Sequence, residues 1–230
     1  MTTHVALLRG INLGPRNKIA MADLRDVLGE LGHGDVRTHI LSGNAIFTSS
    51  RRSAPRLAGE IERAIEERFG LDIAVLVRSR DELAAVVKAN PFPAAKRDPS
   101  RCFAIFLGEN ATKARLDALD PAGYAPDEIG VGDRVIYAWL PNGVQGSKVL
   151  GLLTDKRLGV TTTNRNWNTT TKLLELAGDG PTGVETLPRQ RRGLIQRCRS
   201  GCCRSALRCS RRPARRPTRR RCRCFLPRRR

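Results

Sequence analysis

Val5 to Leu8 is a short, uninterrupted apolar run, the pattern of a buried strand. Met21, Leu24, Val27, Leu28 and Leu31 then recur at the spacing of one helical face, with Gly32 placed to end the helix. Val36, Thr38 and Ile40 alternate with Arg37, His39 and Leu41. Ser42-Gly43-Asn44 supplies turn residues and Ala45 to Phe47 resumes the apolar run, which predicts a hairpin. Pro55 opens a second helix whose Leu57, Ile61, Ile65 and Phe69 share a face, and Ile73, Val75 and Val77 complete the unit as a strand. The order is β-α-β-β-α-β.

Ser79 and Glu82 form a capping-box pair, and the helix they open runs until Asn90-Pro91 stops it. The pattern then returns. Cys102 to Leu107 reads as a strand, Asn110 as the cap of a helix through Leu116 and Leu119, and Ile129 to Leu140 as a second hairpin about Gly132-Asp133. Ser147 is expected to cap a helix containing Val149, Leu152 and Leu153; Val160 to Thr163 reads as the last strand. A final helix carries Trp167, Leu173, Leu174 and Ala177, with Gly178 after it.

Two such units predict an α+β fold of two ferredoxin-like halves, each an α/β plait, packed together. The halves span residues 1–79 and 80–178, the second including a C-terminal helix, and an Arg/Cys-rich tail occupies 179–230. The repeat is one of architecture, with no residue-level self-similarity along the sequence.

Composition changes this picture mainly at the tail. The net charge of +20 suggests a nucleic-acid binder until it is located. From Pro188 to Arg230 there are 18 arginines and no Lys, Asp or Glu, so residues 1–187 hold 24 cations against 22 anions. Six of the seven cysteines also lie in the tail, without zinc-ligand spacing. Such a segment is expected to be disordered. Three readings stay open: a basic arm for nucleic acid or anionic membrane, a redox or metal element, and an out-of-frame translation of a GC-rich gene. No apolar run has the length of a membrane span or the form of a signal peptide, so a cytoplasmic protein is the expectation.

Candidate chemistry gathers where cations precede helices. A helix N-terminus carries about half a positive charge, and a nearby Lys or Arg costs roughly 0.3–1 kcal/mol. Lys18 stands before the first helix, Lys148 follows the cap Ser147, and Arg165 precedes the last helix near Asn166. A bound phosphate or carboxylate would offset that cost. The same loops are rich in Gly and Asn, among them Asn12, Asn17, Asn142, Asn164, Asn166 and Asn168. Turn-making and capping, with the cations in water, is the alternative. Ser42 and Asn44 would lie beside the site unless they serve only the hairpin turn. Arg9, ending a buried strand, needs a carboxylate or a ligand anion as its partner.

"GINLGPRNK" lacks P-loop spacing. His4, His33 and His39 are scattered, Cys102 begins an apolar strand, and Asp23, Asp26 and Glu30 fit a solvated helix face. No catalytic, metal or cofactor constellation emerges. Tyr137 and Trp139 alternate onto one sheet face, which offers either a stacking platform for nucleic acid or packing between the halves.

The segments "ALLRGINLGPRNKIAM", "LSGNAIF", "NPFP", "LPNGVQGSK" and "NRNWNTTTKLLEL" occur in the order and spacing of the bacterial domain-of-unknown-function 1697 family, which the chain resembles over roughly residues 3–177. The resemblance implies two α/β plaits and no particular activity. Leu13-Gly14-Pro15 departs from the family's Val-Gly-Gly-like loop, and proline would stiffen it.

The leading expectation is therefore a protein that binds a small anionic or phosphorylated molecule between two halves. Arg9, Lys18, Lys148 and Arg165 would neutralise charge, Asn12, Asn17, Asn44 and Asn166 would orient the ligand, and Ser42, Ser147, Trp167 and Lys172 would complete the wall. The alternative is a nucleic-acid module using the Tyr137/Trp139 face, with or without the tail.

Overall fold

The structure, a computed structural model, describes residues 1–92, 97–119 and 121–178. The tail discussed above lies outside the described residues. The fold is α+β, with two four-stranded antiparallel sheets. Strands β1 (Thr2–Leu8), β2 (Gly34–His39), β3 (Asn44–Ser49) and β4 (Val75–Ser79) form the first, in the order β2-β3-β1-β4. Strands β5 (Cys102–Leu107), β6 (Glu128–Gly132), β7 (Val135–Trp139) and β8 (Thr162–Asn166) form the second, in the order β6-β7-β5-β8.

The inner strands carry unbroken apolar runs, Val5–Leu8, Ala45–Phe47, Cys102–Leu107 and Val135–Trp139, because both faces of each sheet are covered. On β1, Val5 and Leu7 face one side, while Ala6 and Leu8 face the other; on β5, Ala104 and Phe106 oppose Ile105 and Leu107. Helices α1 (Met21–Glu30) and α2 (Ala54–Phe69) cover the outer face of the first sheet with Leu24, Leu28, Leu57, Ile61 and Ile65. Each such fully buried side chain is worth about 1.5–3 kcal/mol. The outer face of the second sheet packs on Val149, Leu153 and Leu158.

Between the sheets lie α3 (Arg80–Lys88) and α6 (Trp167–Gly178), packed on one another. One continuous cluster joins Val5, Leu7 and Ile46 of the first sheet to Phe106, Val135 and Tyr137 of the second through Leu83, Val86, Trp167 and Leu173. Tyr137 is therefore core. It is 1% exposed, its hydroxyl donates to Val86 O at 2.8 Å, and its ring meets Trp167 edge-on. Trp139 is half-buried under the Arg97 guanidinium. The aromatic stacking platform is overturned: that face looks into the molecule.

Sequence patterning placed most elements well, and the departures are local. The Ser79–Glu82 capping box forms with both hydrogen bonds. Asn110 caps no helix; it spans the β6–β7 turn, donating to Asp133 and accepting from the Arg134 N–H, and α4 (Lys113–Asp117) starts after Thr112. Ile40 and Leu41 belong to the β2–β3 turn, with Ile40 at φ +51°. Ser147 heads a run of turns, its hydroxyl accepting from the Leu150 N–H at 3.3 Å, and the helix between β7 and β8 is the short α5 (Asp155–Leu158). The last strand is displaced from Val160–Thr163 to Thr162–Asn166, because pairing with β5 sets its register. No helix among the described residues is long and apolar enough to cross a membrane.

Candidate functional site

β8 carries Arg165 inward, opposite Ala104 of β5. Its side chain is 7% exposed, and its donors point into a ring of oxygens. Nε donates to Asn44 Oδ1 at 2.5 Å. Nη1 donates to Thr163 Oγ1 and Asn164 O at 2.9 and 2.8 Å, and Nη2 to Leu8 O and Gly43 O at 2.7 and 3.3 Å. Among the described residues no carboxylate hydrogen-bonds to it. Burial lowers its pKa to about 10, which still leaves the group charged at neutral pH. A positive charge is thus fixed at the seam of the two sheets, compensated by neutral dipoles alone.

Beside it opens a cleft of about 470 Å³. Its walls are the loop after β1 (Arg9 to Leu13), the β2–β3 turn (Ile40, Ser42), the segment Leu150–Thr154, strand β8, and the first turn of α6 (Asn166, Thr169). The lining is mixed: Ile11, Leu13, Ile40, Leu150 and Leu153 supply apolar surface, while Ser42, Thr154, Thr162, Thr163 and Thr169 supply hydroxyls. Arg9 finds the partner its position required in Asp155 of α5. Asp155 also accepts from the Thr162 N–H and hydroxyl at 2.8 and 2.7 Å. Burial works to raise this carboxyl, but Thr162 and Arg9 outweigh it and hold it below the usual range. The pair is 44% and 34% exposed, a setting where an ion pair contributes about 0–1 kcal/mol, so Arg9 can exchange Asp155 for another anion at small cost.

The Gly/Asn loop after β1 is shaped by its own amides. Asn12, at φ +56°, donates to Ile19 O and Leu41 O at 2.9 and 2.8 Å and accepts from the Ile19 N–H at 3.1 Å. The Asn17 backbone carbonyl closes the loop by accepting from the Asn12 N–H at 3.0 Å. Asn44 is fully buried; its amide donates to His39 O and Ser42 Oγ while its oxygen takes Arg165. These three asparagines position the cleft wall and the buried arginine.

Of the residues singled out from sequence, Arg9, Ser42, Asn164, Arg165 and Asn166 line the cleft. Asn166 also caps α6, accepting from the Asn168 N–H at 2.8 Å. Lys18 and Lys148 are exposed and lie outside the lining, as does Ser147. Lys172 pairs with Glu175 at 2.6 Å, and Trp167 is core. The expectation of a cation in the first turn of a helix fails at Lys148, because no helix forms there. Sequence reasoning missed the threonines and Asp155. The runs Thr161–Thr163 and Thr169–Thr171 are the signal in the sequence that points to the threonines. Among the described residues, no group of three or more His, Cys, Asp or Glu could hold a metal ion. Cys102 is buried, and burial pushes its thiol up, away from nucleophilic character.

The Arg165 crossing has a counterpart. Val5 on β1 lies opposite Arg78 on β4, as Ala104 on β5 lies opposite Arg165 on β8. Arg78 is 4% exposed and crosses in the other direction, its Nη2 donating to Leu107 O and, at 3.5 Å, to Arg134 O. Leu107 ends β5 as Leu8 ends β1, and Leu107 N–H donates to Arg134 O as Leu8 N–H does to Gly43 O. The repeat thus has a residue-level core that the linear sequence conceals. Burial is the main influence lowering the Arg78 pKa, to about 10.

This combination, a two-sheet α+β architecture locked by reciprocal arginines, coincides with a family match. Residues 1–137 fit the model of the protein family of unknown function DUF1697, and the chain belongs to that family. The structure of the conserved bacterial protein SP0830 from Streptococcus pneumoniae is similar, with a TM-score of 0.61 and 24% identity, covering 76% of this chain and 98% of that one. The two share a fold. Comparison with curated proteins gave no match.

Proposed function

We propose that this protein binds a small anionic molecule in the cleft beside Arg165. The observation that carries the reading is that a buried guanidinium, held only by neutral oxygens, borders an open cleft. In surroundings of low polarizability such a charge acts over several ångströms, and an anion entering the cleft would be attracted without displacing a native carboxylate from it. Two further features support the same sign. The N-terminal turn of the 12-residue α6 contributes Asn166 and Thr169 to the lining, and Arg9 stands at the rim. The hydroxyls orient the anionic group, and the apolar wall receives a carbon framework.

In this reading each half, residues 1–79 and 80–178, is a ferredoxin-like plait. The strand order β2-β3-β1-β4 and its repetition in the second sheet support that. The ligand set keeps Arg9, Ser42, Arg165 and Asn166 of the sequence expectation and adds Thr162, Thr163 and Thr169. Lys18, Lys148 and Lys172 are left out of it.

Thermal shift at low ionic strength against small carboxylates, phosphates and nucleotides tests the proposal. At least one anion is expected to raise the melting temperature. Arg9→Gln should weaken that binding by at least about tenfold, and Lys148→Ala should leave it unchanged. A panel without effect, or a hit indifferent to Arg9→Gln, would overturn the reading.

A further inference from the structure

We infer that the anionic group taken by this cleft is a carboxylate, and that the protein's own Glu82 shows how it is held. The inference rests on the binding role proposed above and names its ligand class. The two arginine crossings correspond position by position. The residue after each arginine caps the following helix, Ser79 in one case and Asn166 in the other. Three residues further on stand Glu82 and Thr169. The hairpin position whose carbonyl meets each arginine is Arg134 in one and Gly43 in the other, at φ +51° and +79°.

At the Arg78 crossing the side chains fill the seam. Glu82 Oε2 accepts from the Ser79 N–H at 2.7 Å, and Oε1 is held by the Arg134 guanidinium. One carboxylate thereby pairs with Arg134 and acts on Arg78 through its charge alone, and the hollows left there are about 150 and 220 Å³. At the Arg165 crossing Arg134 is replaced by Gly43 and Glu82 by Thr169, and the cleft is about 470 Å³. The second arginine has changed loops as well. Arg9 stands where the other crossing has Gly108; the N–H of each donates to the residue before β4 or β8, Ala74 O and Thr161 O respectively. Gly43 cannot regain a side chain, since a Cβ there would lie 2.8 Å from atoms of Ile11 and Leu8.

The Arg165 crossing therefore keeps the arginine pair of its counterpart but has no carboxylate at the Glu82 position, where Thr169 stands. Arg9 meets Asp155 at the exposed rim instead, the weak pairing described above. A ligand carboxylate lying over Thr169, one oxygen toward the Asn166 N–H and the other toward Arg9, would restore the arrangement that Glu82 makes within the chain. Ile11, Leu150 and Leu153 would take its apolar remainder, which defines a small organic monocarboxylate.

The test uses the full chain and matched probes: butyrate and benzoate against inorganic phosphate and phenyl phosphate. Carboxylates are expected to raise the melting temperature of the wild type, and the phosphates to do so less at equal concentration. Thr169→Glu should supply the group internally, raising the melting temperature by about 2–4 °C without ligand and abolishing the response to butyrate and benzoate. Stabilisation by the phosphates but not the carboxylates would overturn the carboxylate inference while leaving the anion reading intact. No response to either class would overturn both. A Thr169→Glu protein that still responds to carboxylates as the wild type does would also overturn the inference, and the wild-type comparison decides it whether or not that variant folds.

Discussion

His4 and His33 flank the ring of Phe47, with centroids at 5.7 and 4.6 Å. Both are buried, and among the described residues Nδ1 of His4 and both ring nitrogens of His33 have no hydrogen-bond partner. Burial is the chief cause lowering both pKa values from 6.5. The unfolded chain therefore binds protons at a higher pH than the folded one, so stability is fully present above about pH 6.5 and is lost as the pH falls through the folded-state values. Urea midpoints are expected to be level from pH 7 to 8 and to decline by pH 5.5, with a shallower decline in His33→Leu. A level profile down to pH 5 would contradict this. Glu82 titrates in a lower window. Burial raises its carboxyl, but Ser79, Arg134 and Arg78 outweigh that and hold it below 4.5, so its contribution is lost only as the pH falls through that depressed value.

Elements were legible in the sequence where local chemistry and tertiary packing agree. α1, α2 and α3 follow from apolar spacing, and the Ser79–Glu82 pair reads directly as a cap. The segment after Ser147 offered a cap-like serine and apolar residues but no acidic residue to answer the serine, and it settled into turns. β8 was harder, because Asn164, Arg165 and Asn166 have weak strand propensity. The Leu107–Thr162 register and the cross-sheet bonds of Arg165 hold them extended. The cleft's cations were visible as residue types, yet only coordinates separate Arg165 from Lys148. Ser79→Ala should cost about 1 kcal/mol in urea unfolding, whereas Ser147→Ala should stay within about 0.5 kcal/mol. Equal effects would mean that the capping box contributes nothing special to α3.

At the scale of the whole molecule the two sheets share a core. Tyr137, Trp167, Leu83 and Val5 belong to one cluster, and each buried arginine finds acceptors in the opposite sheet. Splitting the chain would expose that cluster and leave Arg78 and Arg165 without their cross-sheet oxygens. Residues 1–79 and 80–178 expressed separately are therefore expected to lack cooperative thermal unfolding by circular dichroism, and to recover it when co-expressed. Cooperative unfolding of either piece alone would show that the interior is divisible. The exchange of arginine between loops, Arg9 with Gly43 against Arg134 with Gly108, has a wider consequence. A dimer of identical subunits must present the same surface at both copies of an interface, so any change that closes one closes the other. Covalent continuity lifts that symmetry constraint: one joint can be made permanent with built-in charge pairing, leaving its twin at liberty to specialise.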